Sequence, residues 1–252
     1  MLLRQDFERE LEGFCEVLER FRHEEGLRIL DPAAYAELPG GPAASGSAEW
    51  RLRRYDLERI RRFLGGRGAR TVLDVGSYNG WLANRLCRDG FEVTGVDYFA
   101  DPFDGLGARR HYPRAEWLSV QLDLLDLSVL GRSYDVVVAN RCLQFFPDPL
   151  DYFRHLRERV APGGVLVLTG LAFFSDPRRK EAEIGGWQER HERRYGAPFF
   201  LRPTRGLLDG ADRRALCGEG VDLRPYPKLW RADLLARLVP TRPVSRWGVW
   251  QR

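Results

Sequence analysis

Apolar residues near the start of the chain recur at intervals of three and four, which predicts an amphipathic helix. The positions concerned are Leu3, Phe7, Leu11, Phe14, Leu18 and Phe21. A stripe this short is not typical of a coiled-coil seam, so we expect the helix to pack on the rest of the protein. A second helical pattern contains Trp50, Leu57, Ile60 and Leu64, and the glycine pair that follows predicts its end.

Short apolar runs alternate with helical patterns from residue 71 onward. Five of these runs predict strands, at 71–75, 91–96, 117–122, 134–139 and 165–169. Helical patterns lie between them at 81–88 and 150–160, and further helices and strands are expected near 209–217, 221–226, 232–238 and 244–250. This alternation predicts an α/β fold, with a mostly parallel sheet covered by helices on both faces.

Two segments do not follow these strand and helix patterns. Residues 39–47 consist only of Gly, Pro, Ala and Ser, which predicts a loop. Residues 171–206 are dense in aromatic and charged side chains, and we interpret them as an insertion that acts as a lid. The predicted organisation is therefore a helical extension at 1–66, followed by a main domain at 67–252 that contains the insertion.

The composition is typical of one globular domain with an appendage. The chain has 252 residues, 44% of them hydrophobic, and a formal net charge of only +4. Acidic residues are interleaved with basic ones, which argues against a nucleic-acid surface. Charges fall within the first ten positions, and the longest apolar run is too short to cross a bilayer. We expect a cytoplasmic monomer or homodimer with no nucleic-acid or membrane partner.

The cysteines and histidines do not predict a metal site. The cysteines, at 15, 87, 142 and 217, form no C-x-x-C pair, and the four histidines lack the i,i+4 spacing of a zinc site. We expect reduced, buried thiols and no bound metal.

The loop after the first predicted strand is the leading candidate for ligand binding. Its sequence is Gly76-Ser77-Tyr78-Asn79-Gly80, at the position where open α/β sheets bind ligands. A dinucleotide would need small residues where Tyr78 and Trp81 stand, so a ligand with an amino-acid end is favoured over NAD. Asp74 is placed to meet the ammonium group of such a ligand.

Aspartates also follow the next two predicted strands. Asp97 is placed to accept hydrogen bonds from ribose hydroxyls, and Asp123 to accept one from an adenine amino group. Either residue alone could instead be a helix N-cap. Together with Asp74 they put acids at the ends of three consecutive strands, which favours an adenosine site.

Several motifs, taken in order, resemble those of class I S-adenosylmethionine-dependent methyltransferases. They are Leu73-Asp-Val-Gly-Ser-Tyr-Asn-Gly80, Val96-Asp97, Leu122-Asp123, Tyr134-Asp-Val-Val-Val138, Leu143-Gln-Phe-Phe-Pro-Asp-Pro149 and Ala161-Pro-Gly-Gly-Val165. The resemblance covers about residues 70–169 closely and the C-terminal strands loosely. It implies a Rossmann-like sheet of seven strands with the last one antiparallel, and S-adenosylmethionine as the cofactor.

The resemblance also implies roles for single residues. Asp74, Gly76 and Gly80 would surround the methionine end, Asp97 would hold the ribose, Asp123 with Leu124 would bind the adenine, and Asn140 would lie near the methionine. The predicted cofactor site comprises Asp74, Gly76, Ser77, Tyr78, Asn79, Gly80, Asp97, Tyr98, Asp123, Leu124 and Asn140. Two departures stand out: Tyr78 replaces the usual middle glycine, and Phe145 stands where many relatives have histidine.

Methyl transfer from a sulfonium mainly requires an acceptor that is held in line and shielded from water. An oxygen acceptor must also lose its proton, and His191 in the insertion is the candidate catalytic base. Arg193 and Arg194 are candidate partners for an anionic acceptor. The alternative for all three is a plain surface role.

The sequence therefore predicts a methyltransferase that acts on a small aromatic or anionic metabolite, at oxygen first and at nitrogen or carbon next. The alternatives are an RNA or protein methyltransferase, a nucleotide-binding oxidoreductase, and a non-catalytic module that binds S-adenosylmethionine. Interleaved acids weigh against the RNA enzyme, and Tyr78 and Trp81 weigh against the oxidoreductase.

Overall fold

The computed structural model describes residues 5–252, so Leu3 of the predicted apolar stripe lies outside the described residues. The helices are α1 (Gln5–Glu24), α2 (Ala48–Leu64), α3 (Trp81–Arg88), α4 (Pro149–Glu158), α5 (Arg178–Tyr195), α6 (Gly210–Gly218) and α7 (Trp230–Leu238). The strands are β1 (Thr71–Val75), β2 (Glu92–Asp97), β3 (Leu118–Gln121), β4 (Tyr134–Asn140), β5 (Val160–Phe174), β6 (Leu208–Asp209), β7 (Asp222–Pro225) and β8 (Val244–Gln251). Each predicted strand and helix is present; β1 and α3 have the predicted ends, and the ends of the others are shifted.

The strands form one mostly parallel sheet in the order β3-β2-β1-β4-β5-β8-β7. Only β8 is antiparallel, to both β5 and β7, as the resemblance implied. The predicted number of seven strands is wrong, because the sheet of residues 5–252 has eight. The additional strand, β6, is a two-residue pairing beside the end of β5, which is too short to give a periodic pattern.

Side chains that alternate along the strands pack against helices on both faces of the sheet. Val72 and Val138 pack in one apolar cluster with residues of α2 and α3. Their chain neighbours Leu73 and Val137 pack in a second cluster with residues of α4 and α6. This pattern follows from the period of two in a strand, and it confirms the predicted helical layers.

The carboxyl ends of the central strands lie level with one another. Val75 at the end of β1 pairs with Val96 of β2 and with Ala139 of β4. The strand order reverses at β1, since the chain continues to β2 on one side and returns to β4 on the other. Gly76, Asp97 and Asn140 therefore come together at the point where such sheets bind ligands.

Helix α1 packs across this edge of the sheet with its apolar stripe. Phe7, Leu11, Phe14 and Phe21 are buried, and the Phe14 ring meets Tyr98 edge to face at 6.1 Å. The Phe21 ring contacts the aromatic side chains of α5 and of the segment that follows it. Consequently α1 and the inserted segment cover the strand ends together. Within residues 5–252, no helix has the length and apolar character needed to cross a bilayer.

Two other expectations are corrected. Strand β5 continues to Phe174, where it pairs with β6 and β8, so the inserted segment begins after that residue instead of at 171. All four cysteines are free, as expected, but the expectation that they are buried is wrong, since Cys217 near the end of α6 is exposed and the other three are only partly buried.

Candidate active site

A cavity of about 330 Å³ lies at the carboxyl ends of the central strands. Its floor comes from the loops that follow them, including Gly76, Tyr78, Asp97, Asp123 and Asn140. Its cover comes from Phe14, Leu18 and Arg22 of α1, from Glu49 and Arg53 of α2, and from Phe199, Phe200, Leu201 and Arg202. Residues from the predicted extension and from the insertion thus share one cavity with the predicted cofactor residues.

Asp97 is the most deeply buried acid that lines this cavity. Its Oδ2 accepts a hydrogen bond from the Tyr78 backbone N–H at 2.8 Å, and its Oδ1 accepts one from that of Phe99 at 3.1 Å. Burial raises the pKa of Asp97 to about 6, although these backbone donors oppose the shift. A carboxylate has about four acceptor sites, so both oxygens can still receive hydroxyl donors from the cavity.

Tyr78 takes a backbone conformation that normally favours glycine, with φ at 55°. This conformation costs a side-chain-bearing residue about 1–2 kcal/mol. Its hydroxyl donates to Asp104 Oδ1 at 2.6 Å and accepts from Arg22 Nη2 at 2.7 Å, while Arg22 Nε also donates to Asp104 at 2.6 Å. These contacts offset the backbone cost and fasten α1 to the cofactor loop.

Four predicted cofactor residues do not line the cavity, namely Asp74, Ser77, Asn79 and Gly80. Their contacts stabilise the loop itself. Asp74 accepts from the Ser77 hydroxyl at 2.9 Å, and burial together with nearby Asp97 raises its pKa to about 7. Asn79 Oδ1 accepts from the Trp81 N–H at 3.3 Å. Gly80 packs so closely on Trp117 that a Cβ there would overlap the indole ring.

Asp123 and its neighbours form the other end of the cavity. Asp123 Oδ1 accepts from the Leu125 N–H at 3.0 Å, and its Oδ2 pairs with Arg202 Nη2 at 2.9 Å. The side chains of Leu124 and Tyr98 line the cavity beside it. Arg202 belongs to the inserted segment, so this segment reaches the acid that was predicted to bind adenine.

Asn140 ends β4 and lies in contact with α2. Its side-chain amide donates to Asp56 Oδ2 at 3.1 Å and to the Thr169 hydroxyl at 2.6 Å. Asp56 is completely buried and also accepts from Arg141 Nε at 2.6 Å. Arg141 lines the cavity next to Asn140.

His191 does not line the cavity. Its ring is packed against Phe21, Tyr195 and Phe199, and its Nδ1 lies 3.1 Å from the carbonyl oxygen of Ala197. Burial lowers its pKa. The catalytic role stays a prediction, and the observed contacts are those of a packing residue between α1 and α5. The nearby Arg194 pairs with Glu24 at 2.6 Å and also lies outside the cavity lining.

Sequence reasoning missed the charged side chains that α1 and α2 contribute. Glu49, Arg53 and Asp56 recur at intervals of four and three on α2, which places them on one face of that helix. That spacing was available as a signal, but nothing local indicated which face meets the cavity. In residues 5–252, no group of three or more His, Cys, Asp or Glu side chains is arranged to hold a metal ion.

Comparison with known families identifies the family to which the chain belongs. Residues 48–202 match a family model described as a methyltransferase domain. The chain belongs to the methyltransferase domain family. The methyl donor of its class I members is S-adenosylmethionine, so the predicted family, fold class and cofactor are confirmed. The matched range begins at the start of α2 and ends at Arg202, and therefore includes most of the cavity lining.

Curated relatives of this methyltransferase domain include the ubiquinone biosynthesis O-methyltransferases of Vibrio cholerae and Serratia proteamaculans. The first is 34% identical over 123 residues, which is 46% of this chain and 46% of the relative. The second is 34% identical over 114 residues, which is 43% of this chain and 45% of the relative. The similarity thus spans less than half the length of either relative.

Solved structures share the fold at low sequence identity. The magnesium protoporphyrin IX methyltransferase of Synechocystis, crystallised with S-adenosylhomocysteine, has a TM-score of 0.52 at 18% identity and covers 84% of this chain and 90% of its own. A Nostoc punctiforme protein described as a possible O-methyltransferase has a TM-score of 0.52 at 14% identity, over 81% of this chain and 58% of its own. Both confirm the architecture.

Proposed function

We propose that this protein transfers a methyl group from S-adenosylmethionine to an oxygen atom of a small aromatic molecule. The observation that carries the proposal is the continuity of the cavity, which runs from Asp97 and Asp123 to a set of phenylalanine rings. Phe145 and Phe200 face each other there with centroids 5.8 Å apart. The acceptor end of the cavity lies under helix α1, which suits a small acceptor better than a folded protein or an RNA.

The residues present suit S-adenosylmethionine at the other end of the cavity. Asp97 retains acceptor capacity for two ribose hydroxyls, and the Leu124 side chain offers an apolar contact for the adenine. Arg22 lines the cavity next to Tyr78, where its positive charge suits the carboxylate of a methionine moiety. When bound, the cofactor supplies a methyl group that is already activated by its positively charged sulfur.

The protein's own contribution would then be to hold the acceptor, exclude water and remove a proton. The phenylalanine rings and α1 cover part of the acceptor end, where Phe145 is still 47% exposed before a ligand binds. The carboxylates that line the cavity within residues 5–252 are Glu49, Asp97 and Asp123. Since Asp97 and Asp123 are assigned to the adenosine, Glu49 is the carboxylate that remains for proton removal; its side chain is 62% exposed and pairs with Arg53 Nη1 at 2.6 Å, a contact that an acceptor hydroxyl would have to share.

The names of the curated relatives support oxygen as the acceptor atom. The test is an incubation of the protein with S-adenosylmethionine and a panel of phenols and catechols, with methylated product and S-adenosylhomocysteine both measured by mass spectrometry. We expect product from at least one hydroxyaromatic and none from the matching anilines. Methylation of the anilines alone, or of RNA or protein alone, would contradict the proposal.

A further inference from the structure

Arg141 is held in an unusual position immediately after β4. Its backbone has φ at 57°, in the left-handed region that side-chain-bearing residues rarely adopt. Its side chain crosses Gly170, where a Cβ would overlap the Arg141 Cγ. Backbone strain of this kind persists only where surrounding structure enforces it, and it concentrates at functional sites.

The surrounding structure fixes one edge of the guanidinium. Asp56 Oδ2 accepts from Arg141 Nε at 2.6 Å, and the carboxylate belongs to a fully buried residue. The Tyr226 hydroxyl donates to Asp56 Oδ1 at 2.5 Å and accepts from the Gly170 N–H at 2.8 Å. Asp56 therefore contacts Arg141 directly, and it is linked to the β5 backbone at Gly170 through the Tyr226 hydroxyl. These contacts fix the carboxylate that orients Arg141.

The other edge of the guanidinium is available to a ligand. Nη1 and Nη2 of Arg141 make no hydrogen bond within residues 5–252, and the side chain lines the cavity. The same cavity carries the phenylalanine rings of the acceptor end. Two parallel N–H groups in one plane match the two oxygens of a carboxylate.

We propose that Arg141 binds a carboxylate on the acceptor, which is therefore an aromatic acid that carries the hydroxyl to be methylated. This inference rests on the function proposed above. Asp56 and Tyr226 act as positioning residues, because they touch Arg141 and the backbone around it but do not line the cavity. If Arg141 served only to join α2 to the sheet, its Nε contact with Asp56 would be sufficient.

The test compares 3,4-dihydroxybenzoate with 3,4-dihydroxybenzamide, which differ in charge but hardly in shape. We expect wild-type protein to favour the acid by about tenfold or more in kcat/KM, as one charge-assisted pair implies. Arg141→Gln should remove this preference, because it should raise the KM of the acid by at least tenfold more than it raises the KM of the amide. Arg141→Lys should keep part of the preference, because it retains the charge without the planar fork.

Tyr226→Phe tests the positioning role. It should raise the KM of the acid and leave that of the amide nearly unchanged, because the hydroxyl restrains Asp56 without reaching the acceptor. Equal loss of both activities in Arg141→Gln, or a wild-type acid-to-amide ratio near one, would overturn the inference while the proposed function stands. The wild-type ratio decides the matter even if Arg141→Gln does not fold. Methylation of other phenols in the panel but of neither probe would also overturn the inference, whereas methylation of no phenol in the panel, with cofactor binding intact, would refute the proposed function.

Discussion

The hydroxyl of Tyr78 joins α1 to the cofactor loop, and Tyr78→Phe removes only that oxygen. The change deletes one bond from Arg22 and one to Asp104, and Asp104 is 1% exposed, so water cannot easily replace the lost partner. Hydrogen bonds to charged groups contribute about 1.5–3 kcal/mol each, but the Arg22–Asp104 pair at 2.6 Å survives. We therefore expect a loss of about 2 kcal/mol in the free energy of unfolding.

For a chain of this size, that loss corresponds to a fall in Tm of about 4–8 °C. Differential scanning calorimetry of the cofactor-free protein would measure it. Tyr55→Phe is the matched control, because the Tyr55 hydroxyl makes no hydrogen bond within the part of the chain that the structure describes, and its Tm should change by less than about 2 °C. Equal shifts in the two variants would refute the claim that the Tyr78 hydroxyl secures α1.

Three further predictions concern single side chains. Burial raises the pKa of Asp74 to about 7 from a usual 3.8, so the folded protein binds a proton that the unfolded chain has lost, and the free energy of unfolding should fall as pH rises from about 4 to 7. Asp74→Asn should reduce that fall in urea unfolding curves. An unchanged dependence on pH would contradict the raised pKa. Glu49→Gln should lower kcat by about 10²–10⁴-fold near neutral pH. The loss of kcat should become smaller at a pH at which the phenol is already ionised. Glu58→Gln on the same helix is the control and should leave kcat unchanged. His191→Gln should lower Tm and leave the pH profile of kcat unchanged, whereas loss of the acidic limb of that profile would support the role of catalytic base predicted from sequence.

The strand ends were predictable because they depend on local patterns. An apolar run fixes each strand, and the parallel register then brings Gly76, Asp97 and Asn140 to one edge. Seven of the eleven predicted cofactor residues line the cavity, namely Gly76, Tyr78, Asp97, Tyr98, Asp123, Leu124 and Asn140.

The contacts that complete the cavity were not predictable, because they join distant segments. Arg22 meets Asp104 across 82 positions, Arg202 meets Asp123 across 79, and Arg141 meets Asp56 across 85. Each depends on how α1, α2 or the inserted segment docks on the sheet, and side-chain periodicity specifies only which face docks. The same reasoning explains His191. Its residue type predicted a catalytic base, but it lies on the face of α5 that packs against Phe21 of α1.

The central claim is that Asp97 and the loop around Tyr78 hold S-adenosylmethionine. Calorimetric titration of the purified protein with S-adenosylhomocysteine and with NADH tests it most directly, repeated with Asp97→Ala and with Asp222→Ala as a control on β7. We predict binding of S-adenosylhomocysteine and none of NADH, a loss of more than about tenfold in affinity for Asp97→Ala, and no loss for Asp222→Ala. Binding of NADH without S-adenosylhomocysteine, or an unchanged affinity in Asp97→Ala, would contradict the account.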